Sequence, residues 1–206
     1  MSKVSMLGIG LMGLPMAKRL LGHGVSLTVW NRSQDKCLPL QALGAVIAKE
    51  LLHVAESDII ITMLADGQVV EEVLTELQCH LTKRHLVIDM SSTSQKEVGR
   101  IAELVESTGA RFIDAPVSGG VKGAEEGTLA IMAGSRSNQI FEEANVILSS
   151  MGRATRVGDV GAGQLSKLAN QAIVGGTIAI VSEAVLLLEQ AGVDAEAFRR
   201  ALSGGF

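Results

Sequence analysis

The chain has 206 residues, of which 47% are hydrophobic and 19% charged, with a formal net charge of −4. That composition supports a substantial core and excludes disorder, and the lack of a basic run argues against nucleic acid or an anionic membrane as the main partner. The length exceeds one average domain and is short for two full ones.

Val4-Ser5-Met6-Leu7 reads as a short buried strand, and Leu14 to Leu21 as a helix with Pro15 in its first turn, where a missing N–H costs nothing. Between them stands Gly8-Ile9-Gly10-Leu11-Met12-Gly13, a G-x-G-x-x-G in the strand–turn–helix setting that a dinucleotide-binding unit requires. Gly8 would make the tight turn, Gly10 would let a pyrophosphate approach the backbone, and Gly13 would let the helix pack on the strand. Gly8, Gly10, Leu11, Met12 and Gly13 are therefore the first cofactor-binding candidates. Val25 to Trp30, rich in β-branched residues, is a second strand after the turn Gly22-His23-Gly24, with His23 expected at the surface. At its end, where an NAD-binding unit carries an acid for the ribose 2′-hydroxyl, stand Asn31-Arg32-Ser33. A neutral residue followed by a guanidinium that can pair with a 2′-phosphate points to NADP(H). Pro39 predicts a short or broken helix between Gln34 and Leu43.

Asp58 through Leu64 is a continuous apolar run, a strand buried on both faces of a parallel sheet. A helix follows, with Val69, Val70, Val73, Leu74 and Leu77 at helical spacing. Leu86 to Met90 is the next strand, ending in Ser91-Ser92-Thr93-Ser94, hydroxyls able to cap a helix over Gln95–Ser107. Ligands of open α/β sheets sit at the carboxyl ends of strands. Met63, Leu64 and Ala65 are thus candidate cofactor contacts, and Ser92 and Thr93 candidate substrate contacts. His80 and His85, in the polar connection before this strand, are expected at the surface, and no spacing suggests a metal site. Cys37 and Cys79 stand apart, without CxxC or His-rich spacing, and fit reduced thiols of a cytoplasmic protein. The first apolar segment is a strand followed by glycines, which is not a signal peptide.

Arg111 to Pro116 is a further strand, running into Val117 to Thr128 with glycines at 119, 120, 123 and 127. This stretch is expected to be a loop whose successive N–H groups could form an anion nest, with a flexible hairpin connection as the alternative. Leu129 to Ala133 returns as a strand and Asn138 to Leu148 as a helix. Gly158 to Gly163 reads as a domain junction. Gln164 to Ala191 reads as one long helix. It is expected to be buried rather than membrane-spanning, because its most apolar run, Ala172 to Val181, is short and meets Ser182 and Glu183. Asp194 can cap a last helix, Ala195 to Leu202, ended by Gly204 and Gly205. The expected fold is α/β: a Rossmann-like doubly wound sheet over residues 1–163, then the start of an all-α domain over 164–206, entered by a long interdomain helix.

Three stretches, in order, resemble the β-hydroxyacid dehydrogenase family, which includes 3-hydroxyisobutyrate dehydrogenases, tartronate semialdehyde reductases and glyoxylate/succinic semialdehyde reductases. The first is Gly8–Gly13 running on as Leu-Pro-Met-Ala. The second, Asp114-Ala115-Pro116-Val117-Ser118-Gly119-Gly120 with Gly123-Ala124 and Gly127-Thr128-Leu129, is similar to the family's substrate loop. The third, Gly161-Ala162-Gly163-Gln164-Leu165-Ser166-Lys167-Leu168-Ala169-Asn170-Gln171, is similar to its catalytic helix. The resemblance covers essentially the whole chain. Asn170-Gln171 looks like the tartronate semialdehyde reductase branch, and Trp30-Asn31-Arg32-Ser33 is similar to the NADP-using glyoxylate reductases. Ala169 stands where related 6-phosphogluconate dehydrogenases carry His, and Lys167 is present where imine reductases replace it. Family members run on into a larger helical domain with a further active-site Lys, so the resemblance implies a C-terminally truncated member.

It also implies reversible hydride transfer between NADP(H) and a small 3-hydroxy acid, semialdehyde or 2-oxo acid of the tartronate semialdehyde or glyoxylate type. Lys167 would be the general acid, its pKa lowered by burial. Asn170, three residues on along the same helix face, would hydrogen-bond the substrate. Ser118, Gly119 and Gly120 would hold its carboxylate. A cytoplasmic homodimer paired through the C-terminal helices is expected. The competing class is a non-catalytic nucleotide-binding or assembly protein that keeps the fold; retention of Lys167, Asn170 and the Ser-Gly-Gly stretch argues against it.

Overall fold

In a computed structural model, which describes residues 3–203, the apolar runs become the centre of a nine-stranded sheet. Gly204 and Gly205, expected to end the last helix, lie outside the described residues. The strands β1 (Val4–Leu7), β2 (Leu27–Trp30), β3 (Val46–Ile47), β4 (Ile59–Thr62), β5 (Leu86–Asp89) and β6 (Arg111–Asp114) are parallel and lie in the order β3-β2-β1-β4-β5-β6. That is the doubly wound order, with its switch point between β1 and β4. Beyond β6, β7 (Val117–Ser118) and β6 both pair antiparallel with β8 (Leu129–Ser135), and β9 (Gly152–Gly158) pairs parallel with β8.

β1, β4 and β5 are buried at every residue, as a sheet covered on both faces requires. The helices are α1 (Gly13–Gly22), α2 (Leu38–Gln41), α3 (Gly67–Leu77), α4 (Gln95–Glu106), α5 (Gly120–Glu126) and α6 (Asn138–Leu148). Strand alternation sorts the core into two layers. Met6, Val29, Ile61, Ile88 and Ile113 pack with Met16 and Leu20 of α1 and Phe141 and Leu148 of α6. Leu7, Ile60, Val87 and Phe112 pack with Val70 and Leu74 of α3 and Val98 and Ile101 of α4. Each fully buried aliphatic side chain contributes about 1.5–3 kcal/mol. That exceeds the ~1 kcal/mol of a helix cap such as Ser94, whose Oγ accepts the Glu97 N–H at the start of α4. Packing, more than capping, fixes where the helices lie.

Four expectations need correction. His85 is only 1% exposed; its Nδ1 accepts the Thr82 N–H at 2.8 Å and its Nε2 lies 3.0 Å from the Ala55 carbonyl oxygen. With Nδ1 accepting, Nε2 is the ring's donor, and the side chain staples the start of β5 to the segment before β4. His23 and His80 are exposed, as expected. The stretch expected as a loop over Val117–Thr128 contains β7 and the short helix α5, which ends at Gly127 in the left-handed region (φ +72°). β9 was not anticipated, because Gly-Arg-Ala-Thr-Arg-Val-Gly has no apolar run. The fourth concerns the long helix.

Contacts divide the chain into two units, Met1–Lys167 and Leu168–Phe206. The second unit holds most of α7 (Ala162–Gln190) and α8 (Ala195–Leu202), with the Asp194 side chain accepting the N–H groups of Glu196 and Ala197. α7 was expected to be buried. Its apolar side chains are exposed, Ile173 by 68% and Ile180 by 70%, with Ile178 and Leu187 similar. Among the described residues it is the one helix long and apolar enough, by length and composition, to cross a membrane. Both cysteines are free, Cys37 buried and Cys79 exposed.

Candidate functional site

A crevice of about 720 Å³ opens at the carboxyl ends of β1, β2 and β4, and its lining includes Gly8, Gly10, Leu11, Met12, Gly13, Asn31, Arg32, Ser33, Met63, Leu64 and Ala65. All the residues proposed from the sequence as cofactor contacts are thus brought together. The three glycines differ in what surrounds them. Gly8 has φ +96°, and a Cβ there would stand 2.2 Å from the Met63 carbonyl oxygen. A Cβ on Gly13 would stand 1.9 Å from the Gly8 oxygen. Around Gly10 there is open space, with nothing within 4 Å of a Cβ. Two glycines close the turn against the sheet; the middle one faces the crevice. At the start of α1, Met12 supplies no side-chain cap. The Leu14 N–H is taken by the Gly10 oxygen and Pro15 has none, so it is chiefly the helix dipole that favours an anion there.

Asn31 has a role that its sequence position did not disclose. Its Oδ1 accepts the Ile9 N–H at 2.9 Å and its Nδ2 donates to the Ser33 oxygen at 2.9 Å, tying the glycine turn to the loop after β2. With Asn31 so engaged, Arg32 and Lys36 bring positive charge to the crevice, opposite Glu72 and Glu76 of α3. Arg32 makes no ion pair among the described residues.

The remaining proposed residues lie outside that lining. Ser92, Gly119 and Gly120 are exposed, and Thr93, Ser118 and Lys167 half-buried. Asn170 falls in the second unit, three residues past Lys167 along α7. Burial lowers the pKa of the Lys167 ammonium below its ordinary value. Around Lys167's turn of helix sits a buried polar network that the sequence reading missed. Asp114, at the end of β6, accepts the N–H of Gly161 at 2.7 Å and of Gln164 at 2.9 Å, so its carboxylate caps the start of α7. Burial pushes the Asp114 carboxyl up, and these N–H donors oppose the rise. Asp89 stands opposite it in register at the end of β5. Its Oδ1 accepts from the Thr62 hydroxyl at 2.8 Å and the Ser91 N–H at 3.0 Å, while its buried Oδ2 has no hydrogen-bond partner among the described residues. Burial pushes Asp89 up to about 6, helped by the nearby Asp114 charge. The available signal was that both apolar strands, Leu-Val-Ile-Asp and Arg-Phe-Ile-Asp, end in the same acid.

Residues 3–161 match the family described as the NAD binding domain of 6-phosphogluconate dehydrogenase, and residues 161–206 the NAD-binding family of NADP-dependent 3-hydroxyisobutyrate dehydrogenase. The chain is 42% identical over 212 residues to 2-hydroxy-3-oxopropionate reductase of Escherichia coli, covering 99% of this chain and 71% of that one. It is 36% identical to the mitochondrial 3-hydroxyisobutyrate dehydrogenase of Drosophila melanogaster, covering 95% of this chain and 61% of the relative. Among solved structures, Mycobacterium tuberculosis 3-hydroxyisobutyrate dehydrogenase with L-serine superposes with a TM-score of 0.93 at 32% identity, over 99% of this chain and 70% of that one.

Proposed function

The chain belongs to the β-hydroxyacid dehydrogenase family, and we propose that it transfers hydride between NADP(H) and a small 3-hydroxy acid, semialdehyde or 2-oxo acid of the tartronate semialdehyde or glyoxylate type. The observation that carries this reading is the crevice at the β1–β4 switch point, lined by the glycine turn, Asn31–Ser33 and Met63–Ala65. Its volume, about 720 Å³, suits a cofactor-sized ligand. Gly10 leaves open room beside the N-terminus of α1, which fits a pyrophosphate. Arg32 and Lys36 suit a 2′-phosphate, and no carboxylate stands at position 31 to repel it. When bound, the nicotinamide supplies or accepts the hydride.

Lys167 holds the proton that the carbonyl oxygen takes in reduction, and as neutral amine accepts the alcohol proton in oxidation. Burial lowers its pKa, which eases release of that proton. Ser118, Gly119 and Gly120 hold the substrate carboxylate, with Asn170, Ser92 and Thr93 as further contacts. Residues 1–163 act as the cofactor-binding domain and 164–206 as the opening helices of an all-α domain. The exposed apolar residues of α7 are covered by a second copy in a cytoplasmic homodimer.

NADPH oxidation in the presence of glyoxylate, tartronate semialdehyde and succinic semialdehyde tests the activity, and fluorescence titration with NADPH and NADH tests the cofactor. Turnover with any of the three supports the reading. Tight NADPH binding without turnover of any would mark a nucleotide-binding protein instead. Light scattering that returns a monomer would remove the dimer.

A further inference from the structure

Gln164 is 4% exposed, and both ends of its side-chain amide are hydrogen-bonded. Its Nε2 donates to the Ser91 oxygen at 2.8 Å, and its Oε1 accepts the Thr93 N–H at 3.1 Å. The two bonds grip the backbone on either side of Ser92. Its own N–H donates to the Asp114 carboxylate, which also takes the Gly161 N–H. The helix start is pressed against the sheet: a Cβ on Gly163 would stand 2.4 Å from the Met132 oxygen and 2.7 Å from Asp114 Oδ2. On its far side the Ser91–Thr93 turn is held in turn, because Ser91 Oγ accepts the Leu64 N–H at 2.9 Å, and Leu64 lines the crevice. An unbroken run of hydrogen bonds therefore joins the crevice wall, the 91–93 turn and the first turn of α7. Lys167 lies three residues past Gln164, a neighbour on the same helix face.

We propose that Gln164 is a positioning residue: its side-chain amide locks the Ser91–Thr93 turn to α7 and so sets where Lys167 meets the substrate held against that turn. This rests on the hydroxyacid dehydrogenase reading above. Only a group with one donor and one acceptor in the amide's geometry satisfies Ser91 and Thr93 together. A leucine leaves both backbone groups unpaired. An ionised glutamate turns an oxygen against the Ser91 oxygen, whereas a protonated glutamic acid restores donor and acceptor.

The test uses Gln164→Leu and Gln164→Glu in the intact protein. Displacing a catalytic group by about 1 Å costs on the order of 10²-fold in rate. Gln164→Leu is accordingly expected to lower kcat by about 10- to 100-fold. NADPH affinity should stay within about twofold, since Gln164 is not in the crevice lining. For Gln164→Glu, kcat relative to the wild type at each pH should recover as pH falls. Asp89, Asp114 and Lys167 are the ionisable groups on the elements around it, and the wild type carries all three, so the ratio to wild type reads what the change at position 164 adds. A packing role would give a ratio independent of pH. That flat ratio, or a leucine variant with kcat within twofold of wild type, would overturn the proposal; if the leucine variant does not fold, the glutamate profile decides alone. If the wild type itself turns over none of the three carbonyl substrates, the enzymatic reading has failed and the lock is read separately by amide exchange. Faster exchange at Thr93 in Gln164→Leu, with the central strands unchanged, would keep the lock; unchanged exchange at Thr93 would remove it.

Discussion

At the carboxyl ends of β1, β2 and β4 the crevice is shaped by backbone: Gly8 and Gly13 lie where no Cβ fits, and Gly10 leaves the space into which a ligand can come. Two strands along, at the ends of β5 and β6, the surface is shaped by buried side chains: Ser91, Asp114 and Gln164, bonded to backbone from distant parts of the chain, and Asp89, bonded to the Thr62 hydroxyl and the Ser91 N–H. The first end is shaped by sterics. The second is held by polar groups whose bonds depend on protonation, at a cost in desolvation. A site that binds a constant cofactor at one end and moves a proton at the other has use for both kinds of construction.

Lys167→Ala offers the sharpest separation of the two ends. Turnover should fall about 10²- to 10⁴-fold, the usual worth of a positioned general acid, with NADPH affinity nearly unchanged. Steady-state kinetics beside a fluorescence titration check this. A variant retaining more than a tenth of wild-type kcat would take Lys167 out of the reaction.

Gly13→Ala probes the steric end. A Cβ 1.9 Å from the Gly8 oxygen forces α1 away from the turn. Overpacking costs about 1–3 kcal/mol and occasionally more, and here the obstacle is backbone, so about 3 kcal/mol is expected by denaturant unfolding. Gly10→Ala is the matched contrast: with nothing within 4 Å of the added methyl, the fold should tolerate it while NADPH binding weakens. If both variants unfolded alike, the division of labour among the glycines would be wrong.

Asp89→Asn probes the polar end. The folded-state pKa of Asp89 is raised, from 3.8 to about 6. The folded protein therefore holds the proton more tightly than the unfolded chain, and the ionised carboxylate costs stability. That cost is absent below about pH 4, grows between pH 4 and 6, and is complete above 6. At ~1.4 kcal/mol per pH unit it amounts to about 2–3 kcal/mol. Asparagine keeps an acceptor for Thr62 and Ser91 and carries no charge. The variant should gain stability over wild type as pH rises from 4 to 7. A difference that stays flat across that range would show that Asp89 does not titrate there.

The same contrast explains what could be read from the chain. The glycine turn, the buried strands and the helix spans follow from spacing within a few residues, so β1, α1, β4 and α6 fall where their patterns place them. The Gln164 bonds to Ser91 and Thr93 span more than seventy positions, and Asp114 to Gln164 spans fifty. No local pattern carries such a pairing. His85 was misplaced for the same reason: its polar neighbours suggest a surface, and only the fold brings Ala55 to its ring. For α7 the apolar spacing says that the helix needs cover that this chain barely supplies, and within one copy its apolar side chains are exposed.

Arg32→Asp gives the smallest expected effect and tests whether the cofactor end is steric throughout. Asn31 is spent on the Ile9 N–H and the Ser33 oxygen, which ties the loop to the glycine turn. On the proposed NADP(H) reading the selection would fall to Arg32, which lines the crevice without an ion pair among the described residues. Replacing it with a carboxylate removes a charge-assisted contact to a 2′-phosphate and adds a repulsion, which should weaken NADPH binding by about 1–3 kcal/mol. The same carboxylate can accept the 2′- and 3′-hydroxyls of an unphosphorylated ribose, so NADH binding should hold or tighten. Lys36 also lines the crevice and keeps some attraction for the phosphate, which is why the loss should fall short of a full reversal. Titrating wild type and variant with both cofactors separates the possibilities. A loss confined to NADPH assigns selectivity to a charge set on a backbone-built frame. An equal loss for both would mean that the loop after β2 acts through its shape, and the cofactor end would then be steric from Gly8 to Ser33.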